Sequence, residues 1–171
     1  GVGSAKTGGN YAAALLPIKQ AQDEGFDQIV WLDAKTMSTI EEMGAMNIAF
    51  VYEDKVITAP IGDTILHGVT RDSVGVLCGD FGLNWIEVPP VVADICADAD
   101  SGKLLEAFAC GTAAVVTPIK SLYFQGADHV IGDGGEGPVT LKLRETLCGI
   151  HTGTSELHGE WIETIPQFEA V

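Results

Sequence analysis

Lys6 lies in the stretch Gly1-Val2-Gly3-Ser4-Ala5-Lys6-Thr7-Gly8-Gly9-Asn10-Tyr11, a lone cation with four glycines around it. Only seven lysines occur in the whole chain, so one embedded among glycine and alanine stands apart. Small neighbours let a flat ligand approach the backbone closely. A lysine in a semi-dry pocket can become a nucleophile, as one that condenses with an aldehyde must be. The plainer reading is a glycine-rich turn carrying a solvated lysine, and the residues alone leave both open.

Glu41 and Glu42 form a second feature. Adjacent glutamates are usually a solvated pair, but Ile40, Met43 and Met46 surround these with apolar bulk, which makes one buried member credible. On a strand the two should point to opposite faces. A third is Gly68-Val69-Thr70, a glycine turn opening a helical pattern, where free backbone N–H groups can receive an anion. Gly111-Thr112-Ala113 is a fourth small-residue turn, and such turns are common. Tyr11 by itself reads as a helix-start aromatic packed on the core.

The opening stretch resembles the cofactor-lysine segment of the branched-chain amino acid aminotransferases, fold-type IV enzymes that use pyridoxal 5'-phosphate. Four further blocks resemble that family in the same order: Ile40 to Asn47, Leu66 to Ser73, Glu106 to Ala114, and Gly137-Pro138-Val139-Thr140. The resemblance implies roles residue by residue. Lys6 would hold the cofactor and carry the α-proton, and Tyr11 would bond its phenolic oxygen. Glu42, rather than Glu41, would face the ring nitrogen. Val69 and Thr70 would bind the phosphate, joined by Thr112, while the N–H groups of Thr112 and Ala113 would take the substrate carboxylate. Arg71 is expected to be structural. His67 stands where the family usually has proline, and Ala45 where some relatives have threonine; neither position carries a catalytic role.

The elements that must position these groups alternate between helix and strand. Asn10 is expected to cap a helix from Tyr11 to Glu24, with Ala12, Leu15, Leu16 and Ala21 inward and Pro17 kinking or dividing it. Strands are expected at 28–33, 39–43 and 47–52, and 55–58 should close a hairpin turned at Glu53-Asp54. A helix over 69–81 should bury Val74, Leu77, Cys78 and Phe81. Trp85 to Val88 reads as strand, Val92 to Ala99 as a short helix, and Leu105 to Cys110 and Ala114 to Phe124 as further strands. Pro138 opens a last helix with Val139, Leu143, Leu147 and Ile150 inward. The tail after Gly153 has no clear pattern. The whole reads as mixed α/β; the resemblance sharpens this to a mixed sheet curled into a partial barrel with surrounding helices.

At 171 residues the chain suits a single domain, 1–171. A net charge of −15 argues against nucleic acid or an acidic membrane as partner. Cys78, Cys96, Cys110 and Cys148 are widely spaced, and His67, His129, His151 and His158 are scattered; neither set has metal-ligand spacing. Reduced thiols and a cytoplasmic or organelle-matrix setting are expected. The resemblance also implies a homodimer, amino acid and 2-oxo acid substrates, and an N-terminal small domain that precedes this region in relatives and is absent from the sequence, leaving it as a separate partner. The expected activity is amino transfer between leucine, isoleucine or valine and 2-oxoglutarate. D-amino acid aminotransferase and aminodeoxychorismate lyase are the enzymatic alternatives. A non-catalytic binding or assembly module is the alternative of another class.

Overall fold

The computed structural model describes residues 1–165; 166–171, part of the expected single domain, lie outside the described residues. In chain order, α1 (Gly8–Asp23) is followed by β1 (Val30–Leu32), β2 (Ile40–Met43), β3 (Met46–Val51) and β4 (Lys55–Thr58). Next come α2 (Val69–Asp80), β5 (Asn84–Glu87) and α3 (Val92–Asp100). The chain continues through β6 (Glu106–Gly111), β7 (Val115–Pro118), β8 (Ser121–Phe124), β9 (Ala127–Val130) and α4 (Pro138–His151). A single 3-10 turn, Gly159–Trp161, follows. His158 Nε2 and Asp80 Oδ2, 2.7 Å apart, pin this tail to the end of α2.

Seven strands make one mixed sheet, with neighbours in the order β1-β2-β3-β4-β5 and with β6 pairing β3 and β7. Only β4 and β5 run parallel, as the crossover through α2 requires. β8 and β9 form a separate hairpin. The core is divided by the period-two alternation of β3 and β6. Ile48, Phe50, Ala107 and Ala109 pack with α3 and with Leu122 of the β8–β9 hairpin. Ala49, Val51, Phe108 and Cys110 pack on the other face with α2 and α4. Each strand is thus buried on both faces, which explains its nearly unbroken apolar sequence. On the helices, Val74, Leu77 and Cys78 of α2 and Leu143, Leu147 and Ile150 of α4 recur at three- and four-residue spacing and face the sheet. Phe81 and Val139, also expected inward, are partly buried against the same cluster.

α1 departs from expectation in three ways. Its N-cap is Thr7, without a side-chain cap, and the helix runs unbroken through Pro17. Proline removes the bond to the carbonyl four residues back, here that of Ala13, an exposed residue. Leu15 and Leu16 are 70% and 66% exposed, and Ala14 is the one buried residue of the helix. The strand expected over 114–124 is two, broken at Ile119-Lys120, and β9 had no expectation at all. All four cysteines are free. No helix among the described residues is long and apolar enough to cross a membrane.

Candidate active site

The segment 63–68, between β4 and α2, meets the loop that carries Lys6 and both glutamates of β2, and leads into the start of α2. The loop carrying Lys6 lies on it: Ser4 N–H donates to Asp63 O at 3.1 Å, and a β-carbon added at Gly3 would overlap the backbone of Thr64. Only glycine permits that approach. Asn10, expected as a cap, instead donates its side-chain amide to Val2 O at 2.9 Å and Ala5 O at 3.0 Å. Its amide ties the loop to the helix that follows. Lys6 itself is exposed rather than semi-dry, because the glycine and alanine around it have no bulk to cover it.

Both glutamates of β2 reach the same segment. Thr64 Oγ1 donates to Glu41 Oε1 at 2.7 Å, and Leu66 N–H donates to Glu42 Oε1 at 3.0 Å. Strand alternation therefore does not keep Glu41 away; both border one cleft. Burial separates them chemically. Desolvation pushes the Glu42 carboxyl up to about 7, against the bond from Leu66 and with help from the neighbouring Glu41 charge.

That cleft has a volume of about 300 Å³ and is walled by Tyr11 and Ala14 of α1, Trp31, Glu41, Glu42 and Leu66, among others. Trp31 Nε1 donates to Gly44 O at 2.8 Å and so fixes the β2–β3 turn beneath it. The titratable side chains on its walls, among the described residues, are two carboxylates and a phenol, with no cation. Among the described residues, both hydrogen bonds to Glu42 fall on Oε1, which leaves Oε2 for a further donor. A partly buried carboxylate with one oxygen to spare suits a flat cationic ring bearing an N–H.

Lys6, Val69, Thr70, Thr112 and Ala113 do not line the cleft. Gly68 is the N-cap of α2, and no side chain caps that end. The first N–H groups of the helix, Val69 and Thr70 among them, are therefore left without a capping partner, as an anion site needs. Arg71 in the same turn is buried and structural: it donates to Ala59 O at 3.0 Å and pairs with Glu87 at 3.0 Å. Thr112 and Ala113 are exposed in the turn from β6 to β7, next to Cys110. A pyridine ring at Glu42 with its phosphate at the start of α2 is thus a fit for these residues. The sequence reading missed Asn47, whose amide donates to Glu42 Oε1 at 3.2 Å and to Leu66 O at 3.1 Å. One asparagine opening an apolar strand was the only available signal.

Known proteins resemble the chain over most of its length. The family described as Amino-transferase class IV matches residues 3–122. A probable branched-chain-amino-acid aminotransferase of Streptomyces coelicolor is 43% identical over 166 residues, covering 96% of this chain and 46% of that protein. The branched-chain amino acid aminotransferase of Escherichia coli superposes with a TM-score of 0.80 at 29% identity, over 96% of this chain and 51% of the other. The enzyme of Thermobaculum terrenum in its PLP form gives 0.79 at 28% identity, over 94% and 48%. The chain spans about half the length of the curated relatives it matches.

Proposed function

The chain belongs to the class IV aminotransferases, and from that premise we propose that it is the cofactor-binding large domain of a branched-chain amino acid aminotransferase. The whole enzyme exchanges an amino group between leucine, isoleucine or valine and 2-oxoglutarate by a ping-pong route. Relatives at about 40% identity bear that activity in their names, which supports the substrate class. The observation that carries the cofactor assignment is Glu42: a partly buried carboxyl, raised to about 7, in a cleft with no cation of its own.

Pyridoxal 5'-phosphate, when bound, supplies an aldehyde that takes up the amino group and a protonated ring that draws electrons from the substrate's α-carbon. The chain's residues do the rest. Glu42 keeps a proton on the ring nitrogen through a charge-assisted hydrogen bond. Tyr11 donates its hydroxyl to the phenolic oxygen. The N–H groups of Val69 and Thr70 hold the phosphate with the hydroxyl of Thr112, and those of Thr112 and Ala113 orient the substrate carboxylate. Lys6 Nζ would hold the cofactor and move the α-proton. Its exposure in this chain is in keeping with a wall of the site supplied by the other half of the enzyme. On this reading the sheet forms part of a barrel, the enzyme is a cytoplasmic homodimer, and full turnover needs residues beyond this chain.

The test is covalent labelling. The chain is mixed with pyridoxal 5'-phosphate, reduced with borohydride and digested; mass spectrometry should place the pyridoxyl group on Lys6. Labelling spread over other lysines, or none, would overturn the assignment. A substrate panel on the whole enzyme, spanning L-branched, D-amino and aminodeoxychorismate substrates, separates the related activities.

A further inference from the structure

Asn47 is the one polar side chain of β3, and it is buried, with 6% of its surface exposed. Burying an amide without partners is costly, so a strand otherwise made of core residues has a reason to carry one here. Its Nδ2 donates to Glu42 Oε1 and to Leu66 O, while Leu66 N–H donates to the same Glu42 oxygen. The three residues close a ring of hydrogen bonds. The other end of the amide, Oδ1, lies against Gly68, where an added β-carbon would overlap it. Gly68 is the N-cap of α2 and precedes Val69 and Thr70. Across the sheet, Asn47 is in register with Glu42 on one side and with Cys110, one residue before Gly111, on the other.

We infer that Asn47 is a positioning residue whose amide locks the Glu42 carboxylate to the backbone turn that opens α2. Ring end and phosphate end of the cofactor are then gripped at a separation set by one side chain. The inference rests on the proposed cofactor reading for its meaning, but the lock itself is a property of this chain. It accounts for glycine at 68 as well. Any larger residue there would push the amide off Glu42, removing a donor that favours the ionised carboxyl.

The experiment reads Glu42 directly, in cofactor-free protein. Carbon-13 NMR of glutamate-labelled chain follows the Glu42 carboxyl, identified by its absence in Glu42→Gln. Two other titratable groups face it, Glu41 on its own strand and Tyr11 from α1, and neither is altered. Asn47→Leu keeps the shape and removes both donated bonds; the Glu42 midpoint should rise by about one unit. Gly68→Ala should raise it in the native background and add nothing in the Asn47→Leu background. If Asn47→Leu does not fold, Gly68→Ala alone carries the test. Unfolding at lower denaturant with an unchanged Glu42 midpoint would show a merely structural asparagine and overturn the proposal. Because no cofactor is present, a midpoint that moves in a chain that never labels at Lys6 would keep the lock and remove the cofactor assignment.

Discussion

Glu42 makes the fold sensitive to pH in a direction opposite to most carboxylates. Its folded value, about 7, lies above the ordinary value of 4.5, so the native state binds its proton more tightly than the unfolded chain does. The contribution to stability is therefore full below about 4.5 and is lost as pH rises through about 7. Solvent screening at a partly exposed group limits the effect to roughly 1–2 kcal/mol. Urea unfolding of the cofactor-free chain at pH 5 and pH 8 should show that loss, and Glu42→Gln should flatten it; an equal difference in the variant would locate the effect elsewhere. In the active enzyme, Glu42→Gln should slow amino transfer by roughly a hundredfold or more, since a neutral amide no longer holds the ring proton. Glu41→Gln, whose partner is Thr64, should change turnover little. Single-turnover conversion of leucine distinguishes them, and equal losses would sink the assignment. That Glu42 and Tyr11 would lie near each other was an expectation of the family resemblance, and both line one cleft. Asn47 was not legible in the sequence, because its role exists only once β2 and β3 pair in register and the turn at Gly68 comes down on the same face.

At the scale of elements, α4 shows how a distant strand can start a helix. No side chain near Pro138 caps it. Glu106, at the first position of β6, does so from 32 residues back: its carboxylate accepts Val139 N–H at 2.9 Å, and Thr140 N–H and Oγ1 at 2.7 Å each. Negative charge there also complements the helix dipole. Gly137 sits so close that an added β-carbon would overlap the Glu106 carboxyl. Glu106→Ala should cost about 1–3 kcal/mol in urea unfolding, as should Gly137→Ala. The double variant should cost less than the two together, because removing the carboxylate makes room for the new methyl group. Strict additivity would mean that the two residues do not share this contact. Periodicity and breakers sufficed for the β3–β4 hairpin, turned at Glu53-Asp54, and for the inward faces of α2 and α4. They failed where the partner is remote. A glutamate at the start of an apolar strand does not announce a cap on a helix far along the chain, and Ala127 to Val130, largely exposed, offers no alternation from which to read β9.

Over the whole molecule, two opposed properties govern how copies of the chain meet. With 24 acidic and nine basic side chains the net charge is −15, which keeps copies apart at low ionic strength. Against this, α1 presents Ala12, Leu15 and Leu16 to solvent at three- and four-residue spacing, an apolar stripe that a lone helix on a protein surface does not normally leave bare. The sequence marked these leucines as inward because amphipathic spacing reveals that a face is covered, not by what; among the described residues nothing covers it. If a second copy does, association should strengthen as salt screens the charge, since the Debye length falls from about 10 Å at 0.1 M to about 3 Å at 1 M while the apolar contact is retained. Sedimentation velocity over a range of concentrations and salt should then show a reversible monomer–dimer shift that grows with ionic strength. Leu15→Lys with Leu16→Lys should abolish the shift and leave the unfolding midpoint nearly unchanged, because side chains this exposed contribute little to the fold. Dimers that persist in the double lysine variant would assign the contact to another surface. A chain that stays monomeric at every salt concentration would mean that the leucine face waits for a different partner, such as the remaining half of the enzyme.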